Sequence, residues 1–263
     1  MNAYTIAEET SQFTSNLERK EYVRGMVEKL ADITGRCVEE QKIPINEKHG
    51  DVNFILSSNH PTPLIISAHY DAFIISGNTT TPGANDNGSG VGALFQAACK
   101  LFDLPVDFVF FGGEEIGCKG AKEYLSQNKK QIRGVVNLDT CGSGGTLGLL
   151  IPTVVQVGFR ELMKTDDILN QSFIDSALAT GLPIYRDDPL ATGDHCPFLK
   201  MGIPATTIQG EDWNYFGIVD GKYVTEKMIM HSPLDTIDWV DNEFLNNVVE
   251  ILVEGIKSLI FES

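Results

Sequence analysis

The sequence has few cysteines, and they lack the spacing of a disulfide framework or of a thiolate zinc site. Its five cysteines are odd in number and include no C-x-x-C pair. Small disulfide-stabilised proteins need an even, closely spaced set, so we do not expect the fold to depend on disulfides. This cysteine usage favours a reducing compartment, and we expect a cytoplasmic protein.

Positive charge is also scarce, because 20 Lys and Arg stand against 36 Asp and Glu, which gives a net charge of −16. Nucleic acid and anionic membrane surfaces attract clustered Lys and Arg, so neither is an expected partner. No apolar run is long enough to span a bilayer. The first residues, MNAYTIAEETSQF, show no basic segment followed by an apolar one, so no signal peptide is expected.

A phosphate-binding motif is missing as well. Residues 82–90 (PGANDNGSG) are rich in glycine, and such loops can cradle phosphate groups. This loop lacks the lysine of G-x-x-x-x-G-K-[ST] and does not match G-x-G-x-x-G. The sequence therefore gives no support to a nucleotide site, and the function of this loop must be sought elsewhere.

Helices and strands alternate along the chain. Apolar residues at helical spacing predict helices at 15–33, 91–101 and 119–125, through most of 158–180, and after Asp241. Short β-branched and aromatic runs predict strands at 52–56, 64–68, 106–111, 132–138, 147–151 and 204–208. This alternation predicts an α/β fold with a mixed, mostly parallel central sheet flanked by helices. No composition break divides the chain, so we expect one domain over residues 1–263.

Potential metal ligands follow three of the predicted strands. His69 follows the strand at 64–68, Glu114 and Glu115 follow the strand at 106–111, and Asp139 follows the strand at 132–138. In open α/β sheets, ligands bind at the carboxyl ends of the strands. Acids at the end of a buried strand are costly unless a cation or a strong donor meets them. The pattern therefore predicts a cation at this edge of the sheet.

Two further residues complete a set that suits a transition metal. Asp86 lies in the glycine-rich loop, and His231 lies in the motif Met230-His231-Ser232-Pro233. Imidazole together with carboxylate favours zinc, with cobalt or manganese as substitutes.

As an ordered set, these residues resemble a known family. The order H-x-D, GANDNGSG, EE, NLD and a late His with an Asp behind it is similar to the zinc exopeptidases of the bacterial leucyl aminopeptidase type. That family also includes glutamate carboxypeptidase, glutaminyl cyclase and the transferrin receptor. The resemblance covers residue 52 to the C-terminus and implies the phosphorylase/hydrolase-like fold of a zinc-exopeptidase catalytic domain. It also implies a cis peptide bond after Asp86, the acid that would bridge two metal ions.

The resemblance implies two Zn²⁺ ions per chain and a role for each motif residue. One ion would be held by His69, Asp86 and Asp139, and the other by Asp86, Glu115 and His231. Glu114 would be the general base, Asp71 would orient His69, Asp235 would play a similar supporting part near His231, and His195 would contact substrate. The implied activity is that of an aminopeptidase acting on peptides with a free N-terminus, through a metal-activated bridging water.

Two alternatives stay open. A glutaminyl cyclase would use one zinc, but cyclases tend to carry tryptophan where this chain has Met230. A non-catalytic binding domain of the same fold would be expected to lack ligands, and none is missing.

Family aminopeptidases often carry a tyrosine where this chain has Leu190 or Met230, so the residue that polarises the carbonyl stays open among Tyr185, Tyr215 and Tyr223. Many relatives are secreted, which is the alternative to a cytoplasmic location.

Overall fold

The computed structural model describes residues 1–145, 148–158, 161–186, 191–220 and 222–261. The α-helices within this part are α1 (Ala3–Thr10), α2 (Asn16–Thr34), α3 (Gly90–Leu101), α4 (Lys119–Gln127), α5 (Asp167–Thr180), α6 (Cys196–Lys200), α7 (Trp213–Phe216) and α8 (Asn242–Phe261). The strands are β1 (Val38–Lys42), β2 (Val52–Leu56), β3 (Leu64–His69), β4 (Ile74–Ser76), β5 (Thr79–Thr80), β6 (Val106–Phe111), β7 (Gly134–Leu138), β8 (Gly148–Leu150), β9 (Val154–Gly158), β10 (Glu161–Lys164), β11 (Ile184–Tyr185), β12 (Ala205–Glu211), β13 (Ile218–Val219) and β14 (Lys222–Tyr223).

Eight of these strands form one mixed, mostly parallel sheet in the order β1-β2-β6-β3-β7-β12-β8-β11. The neighbours β6-β3, β3-β7, β7-β12 and β8-β11 are parallel. The pairs β1-β2, β2-β6 and β12-β8 are antiparallel. Helices cover both faces, so the predicted α/β class is confirmed. The four strands β6, β3, β7 and β12 run side by side in one direction, which brings their carboxyl ends to a single edge.

The two faces of the sheet bury two apolar clusters. On one face, α1, α2, α3, α5 and α8 pack against strand residues such as Phe54, Ile66 and Phe108. On the other face, α4 and α6 pack against Ile65, Val109 and neighbouring residues. Because β3 and β6 are buried on both faces, their sequences read as continuous apolar runs rather than as an alternating pattern. This is why the sequence located these strands well.

The predicted helix at 15–33 is confirmed with its caps. The Ser15 side chain accepts a hydrogen bond from the backbone N–H of Glu18, and Gly35 ends the helix at φ 68°. The last helix, α8, also buries the apolar residues whose spacing predicted it, such as Leu245, Val248 and Leu252. The Asp241 side chain accepts a hydrogen bond from the N–H of Phe244. Within the described residues, no helix combines the length and apolar character that crossing a membrane requires.

The helix predicted through most of 158–180 is wrong over its first part. The residues Glu161–Lys164 form β10, which pairs with β9 as a two-stranded antiparallel ribbon, and α5 starts only at Asp167. The sequence ELMK contains good helix formers, but propensity is a weak prior that pairing with a neighbouring strand can override. Helix α1 and strand β1 were not predicted.

Candidate metal centre

Three adjacent parallel strands carry potential ligands to one edge of the sheet. His69 is the last residue of β3, Glu114 and Glu115 follow β6, and Asp139 follows β7. The register pairs His69 with Phe111 and Ser67 with Asn137, so the ends of these strands lie side by side. The sheet topology therefore brings these side chains to one edge, as the sequence predicted.

Asp86 reaches the same place from the irregular segment Ala84–Ser89, which precedes α3. Asp86 has a non-helical backbone, and its peptide bond to Asn87 is cis, as the resemblance implied. The Asp235 carboxylate accepts hydrogen bonds from the N–H groups of Asn85 (3.0 Å) and Asp86 (3.1 Å). Asp235 was expected near His231; in the structure its carboxylate fixes the backbone that carries Asp86.

His231 comes from the segment after β14 and approaches from the far side of Asp86. Its φ of 61° lies in the left-handed region, which is uncommon for a residue other than glycine. The Phe73 ring stacks on the imidazole with 4.7 Å between centroids and 15° between planes. Sequence reasoning missed Phe73, because only the folded chain brings it against His231.

The side chains form two groups that share Asp86. His69 Nε2 lies 3.3 Å from Asp86 Oδ1 and 3.6 Å from Asp139 Oδ1. His231 Nε2 lies 3.2 Å from Asp86 Oδ2 and 3.1 Å from Glu115 Oε2. In each group, the three donor atoms lie within 4.8 Å of one another. Among the residues that the structure describes, Asp86 alone belongs to both groups, and it offers a different oxygen to each.

Asp71 supports the loop after β6 with its carboxylate. The resemblance implied that Asp71 orients His69, and its backbone oxygen does lie 3.0 Å from His69 Nδ1, whereas its nearest carboxylate oxygen is 3.7 Å away. The carboxylate accepts hydrogen bonds from the N–H groups of Glu114 (3.1 Å) and Glu115 (3.2 Å). Asp71 and Asp235 therefore act alike, because each holds two consecutive N–H groups of a loop that carries a proposed ligand.

Glu114 lies beside both groups and belongs to neither. It lines the same cavity as His69 and His231, and its Oε1 accepts a weak hydrogen bond from the Cys118 thiol, with 3.6 Å between sulfur and oxygen. Burial raises the pKa of Glu114 well above its usual range, an effect that His69 opposes and that the carboxyl groups of Asp194, Glu115 and Asp139 strengthen. Glu114 is therefore a carboxyl group that can hold a proton.

The carboxyl groups of the two proposed ligand groups favour positive charge beside them. Burial acts to lower the pKa of His231, but hydrogen bonds to Asp86 and Glu115 outweigh it and raise the pKa to about 11. Burial raises the pKa of Glu115 to about 7, and the charge of Asp86 adds to this effect. The pKa of His69 is raised well above its usual value because Asp139, Asp71 and Asp86 outweigh burial. Without a metal, the imidazoles must hold protons to balance the acids.

The donor set fits divalent zinc. In a tetrahedral site with zinc–ligand distances near 2.0–2.2 Å, donor atoms are about 3.4 Å apart, close to the imidazole-to-carboxylate separations of 3.1–3.6 Å in the two groups. Glu115 Oε1 is buried and has no hydrogen-bond partner among the described residues. A cation would satisfy this oxygen and replace the protons on the imidazoles. That five such residues act as ligands stays a prediction.

His195 is not where the resemblance implied. Its side chain is fully buried and does not line the cavity next to the proposed ligands. Burial lowers the pKa of His195 to about 3, and its Nδ1 has no partner among the described residues. The short helix α6 starts directly after His195 and packs it beneath the surface, so a direct contact with substrate is not supported.

Tyr185 and Tyr215 were considered for polarising the substrate carbonyl, and neither lines the cavity. Tyr215 is buried, and its ring packs against Phe216 and Trp239. Tyr185 packs with the second apolar cluster. Leu190 and the side chain of Tyr223 lie outside the described residues.

The cavity at this edge of the sheet has a volume of about 230 Å³. Glu114 and four of the proposed ligands line one part of it. The other lining residues are Thr140, Ala191, Thr192, Gln209, Phe216 and Met230. The arrangement can hold a small group against the proposed metal ligands, with a carboxyl group beside it that can exchange protons.

Comparison with known proteins identifies a family. The model of peptidase family M28 matches residues 52–256. Aminopeptidase YwaD of Bacillus subtilis (strain 168) is 25% identical over 205 residues, which cover 75% of this chain and 41% of the relative. A probable leucine aminopeptidase of Arthroderma otae is 25% identical over 238 residues, 83% of this chain and 58% of the relative. The chain thus spans about half the length of these curated relatives.

Solved structures share the fold. The Legionella pneumophila LapA aminopeptidase matches with a TM-score of 0.76 and 17% identity over 98% of this chain and 71% of that one. The Porphyromonas gingivalis glutaminyl cyclase matches with a TM-score of 0.71 and 20% identity over 98% of both chains. At these identities the likeness concerns the fold alone.

Proposed function

The chain belongs to peptidase family M28, and from that premise we propose that it is a metal-dependent aminopeptidase that removes the N-terminal residue from peptides. The observation that carries this proposal is the pair of three-residue groups that share Asp86, with Glu114 beside both groups and outside each of them. The names of the aminopeptidase relatives support the same activity.

Two Zn²⁺ ions are the proposed cofactors. His69, Asp86 and Asp139 would hold one ion, and Asp86, Glu115 and His231 would hold the other. When bound, such ions lower the pKa of a coordinated water toward neutrality and polarise the substrate carbonyl. The proposed donors are nitrogen and oxygen atoms, a set that Co²⁺ or Mn²⁺ can also occupy.

Glu114 is the proposed general base and acid. One of its carboxyl oxygens takes a proton from the attacking water and then donates it to the amine that leaves. Burial raises the pKa of Glu114, and the charge of bound ions would oppose this effect and favour the carboxylate that takes the proton. The hydrogen bonds that the N–H groups of Glu114 and Glu115 donate to the Asp71 carboxylate hold this loop in place. Positioning of this kind contributes strongly to catalysis.

The cavity can receive the terminal residue of a peptide. Phe216 and Met230 line it together with Glu114 and four of the proposed ligands. The peptide bond after that residue would then lie against the proposed metal ligands and Glu114.

Hydrolysis of aminoacyl p-nitroanilides and of their N-acetylated analogues tests the proposal. We expect the zinc-loaded protein to cleave only substrates with a free amino group, to lose this activity after dialysis against a chelator, and to regain it when zinc is returned. A glutaminyl peptide belongs in the panel, because a cyclase would produce pyroglutamyl peptide without releasing a residue. Equal cleavage of blocked and free substrates, or no cleavage by the zinc-loaded protein, would contradict the proposal.

Replacing Asp71 by asparagine is expected to lower kcat by about 10- to 100-fold, the usual cost of losing a residue that orients ligands. The Asp71 carboxylate has two acceptor oxygens, and each accepts a hydrogen bond from one N–H group. An asparagine side chain has only one acceptor oxygen, so one of the two N–H groups would lose its partner. Steady-state kinetics at saturating zinc provide the measurement. Asp175→Asn, at an exposed position of α5, is the matched control. An unchanged kcat in Asp71→Asn would show that the loop holds its position without Asp71.

A further inference from the structure

The side of the cavity made by residues other than Glu114 and the proposed ligands is neutral and mixed in polarity. It consists of Thr140, Ala191, Thr192, Gln209, Phe216 and Met230. We propose that this side selects peptides whose first residue has an uncharged, hydrogen-bonding side chain, such as threonine or asparagine, over apolar residues of the same shape. This inference rests on the proposed aminopeptidase function and names its substrate class.

Gln209 places a hydrogen-bonding amide in the cavity. It lies in β12, between β7 and β8, and is only 6% exposed. No hydrogen bond joins its side chain to another described residue, although the side chain lines the cavity. The amide can both donate and accept. A buried amide without a protein partner is a costly arrangement unless water or a ligand provides one.

Thr140 also lines the cavity, but its hydroxyl oxygen is not accessible from it. It is 2% exposed, and its hydroxyl oxygen has no hydrogen-bond partner among the described residues. Its φ of 46° lies in the left-handed region, where a β-branched residue is an outlier. The backbone is held there by bonds from the Thr140 N–H to Asn87 Oδ1 (3.2 Å) and from the Gly210 N–H to the Thr140 carbonyl (3.0 Å). Such strain persists where surrounding contacts enforce it, often at functional sites.

The remaining residues favour an uncharged side chain. Phe216, Met230 and Ala191 provide apolar contact for methyl and methylene groups. None of these described residues is ionised, so they offer no counter-charge to a charged side chain that loses its hydration against them. A threonyl or asparaginyl side chain would satisfy both the apolar and the hydrogen-bonding surfaces. A valyl or leucyl side chain would leave Gln209 without a partner.

Isosteric substrate pairs test the inference. We expect kcat/KM for threonyl and asparaginyl p-nitroanilides to exceed that for the valyl and leucyl compounds by at least about 10-fold, since sites built to hydrogen-bond a side chain discriminate against analogues that lack it. Gln209→Met should reduce this preference by lowering kcat/KM for the polar substrates alone. Thr140→Ser should keep the preference, and Gln171→Met, at an exposed position of α5, is the matched control.

A binding measurement gives a readout besides turnover. In the zinc-loaded Glu114→Gln protein, calorimetric titration with L-threoninamide and L-valinamide should show tighter binding of threoninamide, and Gln209→Met should remove the difference. Equal or better use of valyl and leucyl substrates by the wild-type protein overturns the inference and leaves the proposed function standing. A preference that survives Gln209→Met overturns the assignment to this part of the cavity. No hydrolysis of any aminoacyl substrate removes the proposed function and the inference together.

Discussion

Replacing Glu114 by glutamine is expected to lower kcat by about 10³-fold while the bound metal stays at the wild-type level, because general acid–base groups typically contribute 10²- to 10⁴-fold. Glutamine has nearly the same shape, and the backbone N–H of residue 114 can still bond to Asp71. It cannot take a proton from water. Because Glu114 belongs to neither group of proposed ligands, its replacement should separate catalysis from metal binding.

The measurement pairs steady-state kinetics with elemental analysis of the dialysed protein. Glu123→Gln provides a matched control, since Glu123 is partly exposed in helix α4 and does not line the cavity. This control should keep both activity and metal. If Glu114→Gln retained a tenth or more of the wild-type kcat, Glu114 could not be the principal proton carrier. If it lost metal instead, Glu114 would have to be assigned as a ligand.

Replacing Asp86 by asparagine is expected to have the second large effect, a loss of at least one of two bound ions together with a fall in kcat of about 10³-fold or more, since metal-ion catalysis supplies several kcal/mol. Asp86 gives one oxygen to the group that contains His69 and the other to the group that contains His231. Asparagine has a single acceptor oxygen and no charge, so it cannot serve both groups.

Elemental analysis after dialysis, together with kinetics at several zinc concentrations, provides the measurement. Asp103→Asn removes the same charge at an exposed position after α3, and it should keep both ions and full activity. Retention of two tightly bound ions by Asp86→Asn would rule out a bridging role for Asp86. Full activity with one ion would point to a mononuclear site, as the cyclase alternative requires.

The sequence was informative where function depends on the ends of buried strands. β3, β6 and β7 are buried on both faces and read as apolar runs, so the polar residues that end them stood out. Parallel neighbours then brought His69, Glu115 and Asp139 to one edge. Asp86 and His231 lie outside these strands, and their selection depended on the order of motifs shared with the family.

Contacts between distant loops could not be predicted from the sequence. Asp71 and Asp235 were expected to support imidazoles, whereas their carboxylates hold the backbone of other loops, which depends on how those loops pack. The burial of His195 and the stacking of Phe73 on His231 depend on tertiary contacts in the same way. At 161–164, residues with helix propensity pair as a strand because β9 lies beside them.

The central claim is that the polypeptide holds two cations that share Asp86, with Glu114 left unbound beside them. Anomalous diffraction at the zinc absorption edge, from crystals grown with zinc, tests it most directly. We expect two peaks, one among His69, Asp86 and Asp139 and one among Asp86, Glu115 and His231, with both Glu114 oxygens well beyond the zinc–oxygen bond length of about 2.0–2.2 Å. A single peak, peaks elsewhere, or a bond from Glu114 to either ion would contradict this account.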